Sequence, residues 1–173
     1  MTKMDNKQRI DVLKDQLNRI LGFFPRVDAK ASVVLGVDLA LLSLLGSNAP
    51  SLRLLEGYMI FALIPVFLLG ASLFYVYLQG FPQLEGGQQS LTYFRAIADR
   101  TEGKYAEEFL ALNEEAYIKD LMGQVWRNSE ILKLKYNHLR TSFILLAWAI
   151  VPWFISLAMF VSKNTEAKTL LMK

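Results

Sequence analysis

Apolar residues in this chain gather into three long runs, and the stretches between them are charged. The first run, from about Ala29 to Ser47, carries one carboxylate, Asp38, near its middle and predicts a membrane-spanning helix. The second, from Gly57 to Leu78, is long enough to cross a hydrocarbon core of roughly 30 Å. Tyr58 at one end and Tyr75 and Tyr77 at the other suit two interfaces, and Pro65 inside it is tolerable in a membrane helix. The third, from about Thr141 to Val161, holds Trp148 and Trp153 among aliphatics, with Pro152 as a second candidate kink.

Outside these runs the period becomes that of surface helices. Ile10, Leu13, Leu17, Ile20 and Phe24 form one apolar stripe over residues 3–24, which predicts an amphipathic helix ended by Pro25. Mixed charge on its polar side favours packing against a partner helix over lying on anionic lipid. After the second run, Gly80-Phe81-Pro82 and Gly86-Gly87 mark a loop, a short helix falls near Ser90–Asp99, and Gly103 predicts a break. From Lys104 to Arg140 there is no proline and only Gly123 among glycines. Ile118, Met122, Val125, Ser129, Leu132, Tyr136 and Leu139 keep a coiled-coil-like seam there, so one helix of ~54 Å is expected. No breaker separates it from the third span, and the two read as one rod.

Charge then orients the chain. Residues 1–30 hold seven Lys and Arg, the turn at 48–56 only Arg53, residues 80–140 eight, and the tail after Val161 three. That alternation predicts a cytoplasmic N-terminus and an extracytoplasmic C-terminus. It also accounts for the net charge of +3 without invoking nucleic acid. The first residues lack the apolar core of a cleavable signal peptide. The expected class is an all-α membrane protein with three transmembrane helices, an N-terminal amphipathic helix and a long cytosolic helix continuous with the last span. Its expected organisation is a cytosolic amphipathic helix (1–27), a two-span hairpin (28–79), a cytosolic helical sensor or oligomerisation region (80–140), a third transmembrane helix (141–162) and an extracytoplasmic tail (163–173).

Catalytic chemistry is hard to find. There is no cysteine, and His138 is the only histidine, which excludes most triads and every multi-histidine metal site. No phosphate loop of the GxxxxGK[ST] type occurs, and Glu107-Glu108 and Glu114-Glu115 read as solvated helix charge. No enzyme, metal or cofactor is expected. What remains is a set of groups near the expected cytosolic membrane surface: Arg26, Asp28 and Lys30 at the mouth of the first span, Tyr93 and Arg95 on the intervening segment, and Gln124, Asn128, Lys135 and Tyr136 on the rod. Amides can read a base edge, cations can hold a phosphate and an aromatic can stack, so this set could bind a planar phosphate-bearing ligand. The bland alternative is that these groups pair with one another and with lipid head groups.

Asp38 costs about 2.5–3.5 kcal/mol at a helix centre on insertion scales, so it should face protein. Ser32, Gly36 and Ala40 recur every fourth residue and permit close helix approach. Asp38 lies roughly 200° from Gly36 around the helix, nearly on the opposite side. A three-span protomer is too small to enclose a channel alone. These four residues are therefore expected to form the gate and core of a homo-oligomer, with sister protomers around Asp38.

The entry Asp28-Ala29-Lys30-Ala31 and the stretch Asn128-Ser129-Glu130-Ile131-Leu132-Lys133-Leu134-Lys135-Tyr136 before the last span resemble the Pycsar effector family, the PycTM-like membrane proteins. The resemblance implies an antiphage role at the bacterial inner membrane. A separate pyrimidine cyclase would make cyclic CMP or cyclic UMP, the effector would sense it as an oligomer in the bilayer, and membrane damage would abort the infection. Asp28, Lys30, Lys135 and Tyr136 match its two motifs. No β-roll of the usual cyclic-nucleotide-binding kind is present, so the sensor must be helical. Two other readings of the residues stay open: a non-conducting scaffold recruiting a soluble partner through the seam, and a constitutive channel.

Overall fold

Three of the helices start where a side chain accepts from an N–H group of the first turn. In α1 (Asn6–Leu21) Asp5 accepts from the Gln8 N–H at 2.7 Å while the Gln8 amide reaches back to the Asp5 N–H, a reciprocal cap. The computed structural model describes residues 4–50, 58–82 and 89–171. Lys3, Ser51, Arg53, Gly57 and the Gly86-Gly87 turn lie outside them. The remaining helices are α2 (Phe24–Ser47), α3 (Tyr58–Gly80), α4 (Phe94–Ala98), α5 (Glu102–Leu110) and α6 (Glu114–Leu171). No strand occurs among the described residues. Three helical stretches, within 6–47, 60–80 and 114–166, are long and apolar enough to cross a membrane.

Several boundaries differ from the pattern's prediction, each for a local reason. Pro25 does not end α1; the chain turns at Gly22 and Phe23, and Pro25 sits in the first turn of α2, where its missing N–H is harmless. Gly103 is not a break but the second residue of α5, because Thr101 caps that helix through the Lys104 N–H. The expected single helix over 104–140 is interrupted at 111–113. Asn113 Oδ1 accepts from the Ala116 N–H at 2.8 Å and starts α6 there. From that point α6 runs unbroken for 58 residues, so the expected continuity with the third span is correct. Replacing Asn113 with alanine should lower thermal stability by about 1 kcal/mol, while Asn113→Asp should be silent, as melting of detergent-solubilised protein would show.

The chain divides into two units. The polar unit combines Met1–Val27 with Phe81–Lys135. In it the stripe Ile10, Leu13, Leu17, Ile20 and Phe24 is half-buried while most intervening positions are exposed. Asn6 donates to Glu114 at 3.2 Å and the Lys14 ammonium lies over the Tyr117 ring, which ties α1 to the start of α6. The predicted seam is shifted: Ile118 is buried, but Met122 and Ser129 are exposed and Leu121 and Gln124 take the inward places.

The span unit combines Asp28–Gly80 with Tyr136–Lys173. Its core is built from small and medium residues, including Ala31, Val34, Ala62, Leu69, Leu146 and Ala149. Polar groups add direct ties between helices: the Trp153 indole donates to the Leu41 carbonyl at 2.9 Å, and the Gln79 amide donates to Asp28 at 2.7 Å. His138 is half-buried with its ring 5.9 Å from that of Tyr75. Phe67, Trp148 and Phe154 stand exposed, as lipid-facing side chains of a membrane bundle would.

Candidate functional site

In the polar unit a short non-helical segment, 89–93, is fastened onto the flank of α6. Ser90 is buried, and its Oγ accepts from the Thr92 N–H (3.1 Å), the Tyr93 N–H (3.0 Å) and the Gln124 amide (3.0 Å). Such a serine turn ties the backbone to its own side chain. From α6, Asp120 accepts from the Leu91 N–H at 2.9 Å and the Thr92 hydroxyl at 3.1 Å. From the other side comes Arg100. Its Nη2 donates to the Gln89 carbonyl at 3.1 Å, its Nη1 to the carbonyls of Ser90 and Ala96, and its Nε to Glu108 at 2.7 Å. One guanidinium thus serves three carbonyls and a carboxylate, which a single ammonium could not do in this planar arrangement.

Beside this segment lies an open groove of about 670 Å³, within the size range of ligand pockets. Gln89, Ser90 and Leu91 form one side, and Lys119, Asp120, Gly123, Gln124, Trp126 and Arg127 present the face of α6. Trp126 is 64% exposed, so an indole face is open to a stacking partner. Arg127 donates to Glu130 at 3.0 Å. The Asp120 carboxylate accepts two bonds from the segment and Lys119 beside it is exposed, so the groove carries charge of both signs. An exposed indole, an exposed ammonium and a guanidinium thus stand together on one face of α6, and no cluster of metal-ligating side chains is present among the described residues.

Of the nine ligand residues expected from sequence, Gln124 alone lines this groove. Asn128 sits one turn on and donates to the Gln124 carbonyl at 2.8 Å. Tyr93 belongs to the fastened segment, but its ring stacks edge-on against Phe94. Arg95, one residue into α4's first turn, is exposed and is not a lining residue. Arg26 in the polar unit lies against the Phe23 ring, and Lys135 closes that unit's part of α6. Asp28, Lys30 and Tyr136 belong to the span unit, where Asp28 is occupied by Gln79. Sequence reasoning missed Ser90, Arg100, Asp120 and Trp126. The spacing of Asp120, Gly123, Gln124 and Arg127 on one helical face was the available signal, overshadowed by the apolar seam.

The span unit contains a second polar cluster. Asp38 is fully buried, and Ser72 Oγ on α3 lies 2.6 Å from its Oδ2 and 3.1 Å from the Ser142 carbonyl on α6. Asp38 Oδ1 is buried without a hydrogen-bond partner. The polar neighbour of Asp38 in this arrangement is Ser72 of its own chain. Ser32, Gly36 and Ala40 are exposed on the other side of α2, and a Cβ built at Gly36 meets nothing within 4 Å.

Comparison with known proteins agrees with this architecture. No curated protein and no solved structure matches the chain. The family model for the Pycsar effector protein domain, PycTM, matches residues 12–162, which takes in the α1 stripe from Leu13 onward, the three expected spans and the groove. The chain belongs to the Pycsar effector family.

Proposed function

We propose that this Pycsar effector is an antiphage protein of the bacterial inner membrane that senses cyclic CMP or cyclic UMP through its polar unit. The nucleotide comes from a separate cyclase. Binding to an oligomer shifts the helices, the spans rearrange, and the membrane leaks, so that the infected cell stops growing. The N-terminus and the polar unit lie in the cytoplasm, a placement that the distribution of Lys and Arg supports. The protein acts without catalysing a reaction.

The observation that carries this reading is the groove beside segment 89–93, which offers an indole face, an amide and two cationic side chains on a unit whose described regular elements are helices. These are the group types that a ring bearing one phosphate requires. Cells expressing the chain and supplied with cyclic CMP or cyclic UMP should depolarise within minutes, followed by a potential-sensitive dye. Polarisation that persists with both nucleotides removes the gating mechanism. A scaffold reading is less well supported, because Ile118 and Leu121 of the helix that would recruit a partner are already buried.

A further inference from the structure

Gly123 lies in the interior of α6, where glycine is among the poorest helix formers. Two structural reasons for a glycine are absent. No described glycine has a positive φ, and a Cβ built at Gly123 meets nothing within 4 Å. Openness alone is shared with Gly36 and Gly103; a place on the wall of a polar groove is not. On the helix surface the neighbours of Gly123 are Lys119 and Arg127 at four residues either way, and Asp120 and Trp126 at three. Each cation is thus ~6 Å away along the helix axis, with the indole beside the bare backbone.

We infer that Gly123 is the floor of the ligand site: its missing side chain leaves room for a flat heterocycle to lie on the α6 backbone against Trp126, with its phosphate held by Lys119 or Arg127. Glycine permits that close approach and any larger residue fills it. Gln89, on segment 89–93, and Gln124, whose amide donates to Ser90 Oγ, also line the groove. The ligand class is a cyclic nucleoside monophosphate, whose phosphodiester carries a single charge, and the inference rests on the nucleotide-sensing reading above.

The test uses the full chain in detergent micelles, titrated with cyclic UMP and with cyclic CMP by calorimetry. Wild-type protein should bind one of the two. Gly123→Leu should weaken that binding about 30-fold, since loss of stacking and contact at one base is of that order. Gly123→Ala should weaken it several-fold. Both variants should melt at or above the wild-type temperature, because the space at Gly123 is empty and both residues favour helix. Equal affinity in wild type and Gly123→Leu overturns the assignment of the floor and leaves the sensing role intact. Wild-type protein that binds neither nucleotide overturns the sensing role itself, and this site with it.

Discussion

Replacing Arg100 with methionine is expected to lower the stability of the polar unit by about 3 kcal/mol and to release segment 89–93. The Arg100 side chain is only 11% exposed, and methionine keeps most of its length and apolar stem. What is lost is the set of donors to the carbonyls of Gln89, Ser90 and Ala96. Each bond from a charged donor contributes about 1.5–3 kcal/mol, and carbonyls left without a partner add their own desolvation cost. Some of this is recovered, because Gln89 is exposed and its carbonyl can find water. The partner carboxylate is less costly to abandon. Glu108 is 37% exposed, so Glu108→Gln should change stability by less than about 1 kcal/mol. Hydrogen exchange separates the contributions. The Leu91, Thr92 and Tyr93 amides are held by Asp120 and Ser90, and in Arg100→Met they should exchange about 100-fold faster. Arg100→Lys should fall between, since one ammonium cannot reproduce the fork. If Glu108→Gln loosens the segment as much as Arg100→Met, the ion pair and not the carbonyl bonds holds it.

The contrast between the two units shows what a linear pattern can carry. The spans were legible because lipid imposes a demand on every residue in a window of about twenty, so their signal accumulates along the chain. The α1 stripe was legible for the same reason at a period of 3.6: its five apolar positions are all half-buried. Local endings were partly hidden. Asn113 has no proline or glycine beside it, and a cap is a single side-chain bond that tertiary packing can favour or override. Gly103 misled in the opposite direction, since one glycine in a capped helix costs only about 1 kcal/mol. The groove was least legible. Arg100 meets Gln89 and Ser90 through backbone carbonyls, which every residue possesses, so nothing in composition marks the partners. Asp120 and Gln124 engage a segment about thirty residues earlier, a separation at which helical periodicity carries no information. Asp38 was legible as a residue that must face protein, and not as to which protein faces it.

Asp38→Leu is expected to leave the protein inserted and folded while weakening ligand-dependent killing at least tenfold, on the proposed function. Removing a carboxylate from the centre of a span favours insertion by about 2.5–3.5 kcal/mol. Leucine is larger, and forcing it into a packed position returns about 1–3 kcal/mol. The sum is near zero or modestly favourable, so abundance in the membrane should hold or rise. Ser72 is not orphaned by the change, because the Ser142 carbonyl lies 3.1 Å from its hydroxyl and can take its proton. What the variant removes is the 2.6 Å bond that joins α2 to α3, together with a buried side-chain oxygen, Asp38 Oδ1, that has no partner in this arrangement. A buried acceptor without a donor is poorly satisfied here and better satisfied in any arrangement that brings it water or a polar group. That difference favours rearranged spans over the packed ones, and leucine abolishes it. Asp38→Asn separates the two parts of the argument, since its amide oxygen still accepts from Ser72 while its charge is gone. It should retain packing and lose part of the killing. Dye-leakage from cells at matched membrane abundance reads the result. Full leakage by Asp38→Leu would reduce Asp38 to a tie between helices and move the trigger to another part of the bundle.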